Sequence, residues 1–368
     1  MEYNKLDILL WEKFNFLRGS TRYTPEECLE ELLNLIYIHK IKNSNREVPL
    51  DLNKSFDTNG ILLDESIEHD VAKSFIDNDN LFSSNSAGKD FGNFLSRILK
   101  GHLGSFFSPP ELGDFIAKII QPKFGEKAID PFCGSGNFLN SLFRFEECRI
   151  YGNEIHNLTW KIAIVNLFLN GVDINFLSRK DAENKFSTEN WYEYFDIVVS
   201  HPPFVVKHSS HGYEDSKYDL KKAYDSDLLP IYMEKCLRLL KKGGRMALVL
   251  PESILRGERY KQLRTYFETK AQIVFIVKVP SKVFMSYGSM VSSCIVFFKK
   301  FDYNKTIIDW EYELEKEIHI ELRKKYKYKV ANGQFLLEKN NGRLNEEISN
   351  MAELVKEFNK FKKDNNIW

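Results

Sequence analysis

The residues best suited to chemistry follow a short apolar run near the middle of the chain. Residues 197–199 are typical of a buried parallel strand, and His201, two prolines and an aromatic residue follow at once. Proline has no backbone N–H to donate to a sheet ladder, so the strand must end here. His201, Pro202, Pro203 and Phe204 are therefore predicted at the carboxyl end of a strand, where open α/β sheets bind ligands. Taken alone, the segment is equally well explained as a strand end with a stiff turn.

A glycine-rich loop upstream indicates the kind of ligand. The predicted strand Lys127–Asp130 leads into a turn that contains Gly134 and Gly136 and opens a helix. Glycines at such a turn let the backbone approach a nucleotide-type ligand closely. Leu139 replaces the third glycine of a dinucleotide fingerprint, and an aspartate at the strand end would repel a pyrophosphate. The pattern favours a ligand with a positive amino group, and the alternative is a tight glycine turn.

Acidic residues end the next two predicted strands. Glu154 closes the strand at 148–154, and an acidic residue at this distance from the glycine loop commonly accepts hydrogen bonds from ribose hydroxyls. A strand at 174–177 is followed by Asp181, which can accept from an adenine amino group. Both residues therefore indicate a nucleotide-type ligand, as the glycine loop does.

A serine marks a predicted helix start before the first strand. Ser108 and Glu111, with Pro109 between them, match a capping box that opens a helix through Ile120. Capping is a sufficient structural explanation. A serine hydroxyl and free backbone groups at a helix start can also hold the polar head of a ligand. The sequence leaves both interpretations open.

Composition and charge limit the class of protein. The 368 residues are 43% hydrophobic and 28% charged, which is ordinary for a globular chain with a large core. Lys plus Arg and Asp plus Glu are equal at 52 each, so contacts to nucleic acid would require a local basic patch or a partner. The five cysteines include no CxxC pair, and neither a signal peptide nor a run of about 18 apolar residues is present. We therefore expect a reduced, soluble, cytoplasmic protein without membrane contact.

The segment after Phe204 is polar and irregular. Residues 205–227 are predicted as a long loop, which in a compact domain is usually functional or disordered. His201, His208 and His211 are near one another in sequence, but their spacing matches no standard metal pattern and no acidic residue completes a ligand set. We therefore predict no metal site.

Periodicity along the chain predicts an α/β fold. Five strands alternating with helices, followed by strands at 272–279 and 291–298, predict a doubly wound seven-stranded Rossmann-like sheet whose last two strands can pair antiparallel. Gly243 and Gly244 are predicted to end the helix before the fifth strand. The predicted domains are a helical N-terminal domain at 1–100, the sheet domain at 101–300 and a charged helical tail at 301–368.

Two helical features stand out at the ends of the chain. Thr24 and Glu27, with Pro25 between them, predict a capping box at a helix start. In the tail, apolar residues recur at spacings of three and four between Leu344 and Lys362, which is typical of a coiled-coil seam. The seam predicts a partner contact through 344–362, and the alternative is a helix folded onto the body.

Four segments in this order resemble the motifs of a known family. Residues 104–109, 130–136, Glu154 and residues 201–204 are similar to the G-x-F/Y-F-T/S-P, D-P-x-x-G-S-G, acidic and N-P-P-F/Y segments of S-adenosylmethionine-dependent amino-group DNA methyltransferases in their gamma arrangement. More closely, the chain resembles the modification subunits of type I restriction-modification systems. The resemblance covers roughly residues 88–300.

The resemblance implies transfer of a methyl group from S-adenosylmethionine to the N6 amine of adenine in DNA, within a restriction-modification or related defence system. The target adenine would be flipped out of the duplex and stacked on Phe204. The side chain at position 201 and the backbone carbonyl of Pro202 would accept its amine hydrogens. Glu154 would bind the cofactor's ribose and Asp181 its adenine. The implied catalytic residues are His201, Pro202, Pro203 and Phe204, and the implied cofactor-binding residues are Phe107, Ser108, Pro109, Asp130, Phe132, Gly134, Gly136, Asn137, Glu154, Asp181 and Ala182.

The chain departs from the family at His201, where members have Asn, Asp or Ser. A neutral imidazole has one acceptor and one donor nitrogen, and a protonated one has only donors. Three interpretations follow: His201 accepts from a nucleic-acid amine; the domain binds the cofactor as a scaffold with impaired or no catalysis; or the substrate is different, such as RNA or a protein amide. The first predicts a rate that falls as His201 protonates near its reference pKa of about 6.5.

Choice of a DNA sequence is expected to need a partner. Many solitary members of the family carry a target-recognition domain after the sheet, whereas the residues after Phe298 look helical and charged. We therefore expect a specificity subunit to select the DNA site.

Overall fold

Helices cover both faces of one mixed sheet. The computed structural model describes residues 5–42, 44, 52, 56, 64–98, 108–174, 177–178, 189–204, 218–224, 227–279, 292–302, 329–332 and 351–365. The helices before the first strand are α1 (Leu6–Ser20), α2 (Pro25–Ile36) with a π-helical turn (Tyr37–Ile41), α3 (Glu65–Asp77), α4 (Asp79–Phe82), α5 (Ala87–Ile98) and α6 (Pro110–Ile120). The predicted capping box of α2 is confirmed, since Thr24 Oγ1 accepts from Glu27 N at 3.2 Å and Glu27 Oε2 accepts from Thr24 N at 2.7 Å.

The sheet has the strand order β3-β2-β1-β4-β5-β7-β6-β8. Its strands are β1 (Lys127–Asp130), β2 (Arg149–Asn153), β3 (Leu177–Ser178), β4 (Phe195–Ser200), β5 (Leu240–Pro251), β6 (Ala271–Val279), β7 (Ser293–Lys300) and β8 (Lys329–Asn332). Of these, β7 is antiparallel to its neighbours and the other pairs are parallel. The order reverses between β1 and β4, which creates a switch point at their carboxyl ends.

The remaining helices complete two layers. They are α7 (Asn137–Phe145), α8 (Asn157–Leu169), α9 (Leu228–Leu239), α10 (Ser253–Arg256), α11 (Lys261–Glu268) and α12 (Met351–Asn365), with 3-10 turns at Glu189–Trp191, Lys221–Ala223 and Glu258–Tyr260. Alternate strand residues supply two cores: Ile197 and Val199 belong to the core that includes α1–α8 and α12, whereas Val198 belongs to the core that includes α9–α11. The predicted α/β class with a doubly wound sheet is therefore confirmed.

A buried cation ties the N-terminal helices to the sheet layer. Lys161 on α8 is almost fully buried and donates to Glu30 Oε1 at 2.7 Å and to Asn34 Oδ1 at 2.9 Å, both on α2. A buried ammonium group needs such partners to offset the loss of water. This contact holds α8 in place, and α8 in turn carries a residue that supports the glycine loop.

Several local expectations were wrong. The third strand is Leu177–Ser178 rather than 174–177, and the described sheet has eight strands rather than seven because β8, from the tail, pairs with β6. The outer edge of β6 would otherwise expose unpaired backbone groups. The helix before β5 ends at Leu239, and Gly243 (φ +72°) lies in an irregular stretch of β5 instead of capping it.

The described part of the tail folds onto the body. Phe358 on α12 is fully buried, and its ring stacks on Phe275 of β6 with centroids 5.2 Å apart. Gln121 Nε2 donates to Asn359 Oδ1 at 2.9 Å, and Lys362 donates to the Gln121 amide oxygen. The coiled-coil contact predicted through 344–362 is therefore not supported: Leu354 and Phe358 lie in the protein's own core, and residues 344–350 lie outside the described residues. No helix in the described chain is both long and apolar enough to cross a bilayer.

Candidate active site

Asp130 lies buried at the carboxyl end of β1. Its Oδ1 accepts a hydrogen bond from Phe132 N at 3.0 Å and from the Ser200 hydroxyl, at the end of β4, at 2.7 Å. Desolvation raises the pKa of the Asp130 carboxyl from 3.8 to about 7, and the two hydrogen bonds oppose this rise only in part. The two central strands therefore meet at a buried acid beside the switch point.

The glycine loop needs glycine for a conformational reason. Gly134 and Gly136 have φ of +54° and +79°, values that other L-residues adopt at a cost. A Cβ at Gly136 would also come within 3.1 Å of Leu167. The loop is held to β2 because Cys133 N donates to the Asn153 carbonyl at 2.9 Å. Its backbone is thus fixed close to the strand end.

Glu154 joins the glycine loop to the end of β2. Its Oε2 accepts from Gly134 N at 3.1 Å and its Oε1 from His156 N at 2.8 Å. Desolvation raises the pKa of this carboxyl, and Glu154 in turn contributes to the raised pKa of Asp130. Next to it, Ile155 is 52% exposed and offers an apolar surface beside the acid.

Ser108 does not form the predicted capping box. Helix α6 begins at Pro110, Pro109 occupies the capping position, and the cap has no side-chain hydrogen bond. Since a residue that precedes proline avoids the helical region, Pro109 stays extended (ψ 136°) and moves the cap one residue along. The Ser108 hydroxyl instead lies 2.9 Å from Nδ1 of His201.

Two asparagines support the Ser108 segment. Asn137, the first residue of α7, donates from Nδ2 to the Ser108 carbonyl at 2.8 Å. Asn166 on α8 donates to Asn137 Oδ1 at 3.1 Å and to the Ser135 carbonyl at 2.8 Å. These bonds connect the segment before β1, the glycine loop and α8 into one polar network.

His201 begins the turn that follows β4. Its ring is partly buried and packs against Phe204 with centroids 5.0 Å apart at 56°. Burial lowers the pKa of His201 from 6.5 to about 4, so the imidazole is neutral near pH 7. The fall in rate that was expected near pH 6.5, as His201 protonates, should therefore occur well below that pH. Pro202 is buried, while Pro203 and Phe204 are partly buried.

The structure brings most of the predicted residues to one edge. Ser108, Asp130, Gly134, Asn137, Glu154 and His201 are linked through the contacts above, and Pro109, Phe132, Gly136 and Pro202–Phe204 adjoin them in sequence. Phe107, Asp181 and Ala182 lie outside the described residues, as do 205–217 and 225–226 of the loop. The described residues contain no cluster able to hold a metal ion.

Three residues at the site were not singled out from the sequence. Ser200 could have been found, since it precedes His201 directly at the strand end. Ile155 could have been found as an apolar residue after the acidic strand end. Asn166 lies within the apolar helix α8, and no local signal distinguishes it.

Comparison with known proteins gives relatives and fold neighbours. The methylase subunit of the type I restriction enzyme EcoEI from Escherichia coli is 27% identical over 252 residues, covering 63% of this chain and 50% of that protein. The crystal structure of a class I S-adenosylmethionine-dependent methyltransferase from Listeria monocytogenes has a TM-score of 0.63 and 17% identity, covering 97% of both chains. The type I restriction-modification methyltransferase subunit from Streptococcus thermophilus has a TM-score of 0.63 and 15% identity, covering 96% of this chain and 85% of that one. The two structures show that the fold is shared.

The family follows from a match over most of the chain. The chain spans about half the length of the curated relatives it matches. The profile of the N-6 DNA methylase family matches residues 92–367, which include every segment that meets at this edge of the sheet. The chain therefore belongs to the N-6 DNA methylase family.

Proposed function

We propose that this chain transfers a methyl group from S-adenosylmethionine to the N6 amine of adenine in DNA, as the modification subunit of a type I restriction-modification system. One observation carries the proposal: two buried carboxylates and a glycine loop adjoin His201 and Pro202 at the switch point of the sheet. Membership of the N-6 DNA methylase family supports the same reaction.

The residues at the glycine loop fit this cofactor. Asp130 and Glu154 are buried, and neither forms an ion pair with any residue in the described part of the chain. A buried carboxylate with a raised pKa suits a ligand that brings its own positive charge. Asp130 would hold the ammonium group of the methionine end, Glu154 would accept from the ribose hydroxyls, and exposed Ile155 would pack on the adenine. Asp181 remains a prediction for the adenine amino group.

The residues at the end of β4 fit the acceptor base. When bound, the cofactor supplies an electrophilic methyl group. The target amine is a weak nucleophile because its lone pair is delocalised into the ring. The carbonyl oxygen of Pro202 and a nitrogen of His201 would accept its two hydrogens and draw the lone pair back to N6, while Phe204 would stack on the flipped base. The low pKa of His201 keeps the imidazole neutral near pH 7, so that one of its nitrogens carries a lone pair.

We further propose that a specificity subunit selects the DNA site. Three of the curated relatives are named as methylase subunits of type I restriction enzymes, which supports assembly with other chains. Sequence-selective methylation by this chain alone would argue against the need for such a partner.

The test is transfer of labelled methyl from S-adenosylmethionine to unmethylated genomic DNA, with the product identified as N6-methyladenine after digestion. The parent and His201→Asn are compared side by side, with and without the cognate specificity subunit. We expect the parent to methylate DNA. If methyl is transferred to RNA or to a protein amide while DNA stays unmodified, then DNA is not the substrate of this chain.

One contact favours a second candidate, a cofactor-binding subunit without catalysis. The Ser108–His201 contact shows that at least one imidazole nitrogen is engaged within the protein. In that case the parent would bind S-adenosylmethionine normally and transfer nothing, whereas His201→Asn would gain activity. Binding measured by calorimetry separates this outcome from a failure to bind the cofactor.

A further inference from the structure

The contact between Ser108 and His201 joins two segments that are far apart in sequence. Ser108 Oγ and His201 Nδ1 are 2.9 Å apart across a sequence separation of 93 residues. Ser108 is buried, and its carbonyl is held by Asn137, which is itself held by Asn166. The Ser108 backbone is therefore held by the same network that supports the glycine loop, and its hydroxyl lies beside Nδ1.

The direction of this hydrogen bond decides what the other ring nitrogen can do. A neutral imidazole carries one N–H and one lone pair. If the Ser108 hydroxyl donates to Nδ1, then Nε2 carries the proton and can only donate. If Nδ1–H donates to the serine oxygen, Nε2 carries the lone pair and can accept a hydrogen from an amine. Asparagine at position 201 has no such dependence, because its amide oxygen is always an acceptor.

We propose that Ser108 is a positioning residue that accepts a hydrogen bond from Nδ1 of His201 and so leaves Nε2 as the acceptor for the hydrogen of the target amine. This inference rests on the proposed function and deepens it. It assigns to Ser108 a task that arises only because histidine occupies position 201. It also predicts that the two residues are energetically coupled in the transition state.

The first test is a double-mutant cycle on kcat at saturating cofactor and DNA. We expect Ser108→Ala to lower kcat about fivefold to tenfold, the effect of one lost hydrogen bond. In the His201→Asn background the same change should alter kcat less than about twofold. Ser108→Thr keeps the hydroxyl and should retain most of the activity. An equal loss in both backgrounds would overturn the proposal, since Ser108 would then act through the fold or the cofactor.

The second test reads the tautomer directly and needs no activity. Protein labelled with ¹⁵N-histidine is examined by NMR, and His201→Asn identifies the His201 signals by their loss. We expect the parent to show a protonated Nδ1 and an unprotonated Nε2, and Ser108→Ala or Asn137→Ala to shift this balance. A protonated Nε2 in the parent with cofactor bound would refute the proposal. If the tautomer is as expected and no DNA is methylated, the proposed function fails, while the assigned direction of the Ser108–His201 hydrogen bond stands.

Discussion

Asp130 should make cofactor binding depend on pH. Burial raises the pKa of its carboxyl from 3.8 to about 7, and only the ionised form attracts the ammonium group of S-adenosylmethionine. The competent fraction of the site therefore falls from about nine tenths at pH 8 to about one tenth at pH 6. The apparent Kd should rise about tenfold over this interval, because it scales inversely with that fraction.

Asp130→Asn is the matched variant for this experiment. Its amide oxygen can still accept from the Ser200 hydroxyl and from Phe132 N, but the side chain cannot ionise. We expect weaker binding at pH 8, measured by calorimetry, and loss of the tenfold change. Two other groups also titrate: the amino group of the cofactor, and Glu154, whose pKa is raised by burial. Because both are present with the parent and with the variant, the ratio of the variant's Kd to the parent's Kd isolates the effect of Asp130. A ratio that stays constant from pH 8 to pH 6 would refute the assignment.

The same pKa predicts a change in stability without cofactor. Because the pKa of this carboxyl is raised in the folded state, the free energy of unfolding falls as pH rises from about 3.8 to about 7. Above about pH 7 this contribution no longer changes. At about 1.4 kcal/mol per pKa unit, the full effect is on the order of 4 kcal/mol. Asp130→Asn should therefore be more stable than the parent at pH 8 in urea denaturation, and the difference should close toward about pH 4.

Three other perturbations test separate parts of the structure. Because burial lowers the pKa of His201 to about 4, single-turnover transfer at saturating cofactor should show no acid limb above pH 5; a limb near 6.5 that His201→Asn removes would contradict this. Phe358→Ala should lower the free energy of unfolding by about 3–5 kcal/mol in urea, because the ring is fully buried, whereas exposed Asn359→Ala should cost under about 1 kcal/mol. Lys222 and Lys261 are exposed near the carboxyl edge, and Lys222→Gln and Lys261→Gln should each weaken DNA binding and reduce the slope of log binding constant against log salt concentration by about 1. Lys363→Gln on α12 is the control and should leave this slope unchanged. An unchanged slope for Lys222→Gln or Lys261→Gln would exclude a phosphate contact at that position.

Local patterns were sufficient to predict several elements. The bounds of β1 and the capping box at Thr24 are as expected, because strand length, turn residues and caps depend on a few neighbouring residues. The need for glycine at position 136 likewise follows from a turn that requires a positive φ. The positions of Asp130 and Glu154 at strand ends follow from the same strand-loop-helix pattern.

Other features depend on contacts between distant segments. Strand β8 lies in a charged region where Tyr326, Tyr328 and Val330 alternate with lysines, a period-two signal too short to outweigh the charge. The apolar stripe of α12 fits a coiled coil as well as a core helix, and only its packing on Phe275 distinguishes the two. The role of Asn166 becomes visible only from its hydrogen bond to the Ser135 carbonyl in the glycine loop.

By itself, the sequence determined the α/β class, the motifs and their order, because periodicity, proline and glycine act on the backbone locally. Only the tertiary structure decided that Ser108 meets His201 instead of capping a helix, and that Asp130 meets Ser200. It also decided the pKa values of His201 and Asp130, near 4 and 7, since loss of water at a buried strand end depends on everything packed around it. Hydrogen-bond partners and desolvation are properties of the assembled fold, and the chemistry proposed for this site depends on both.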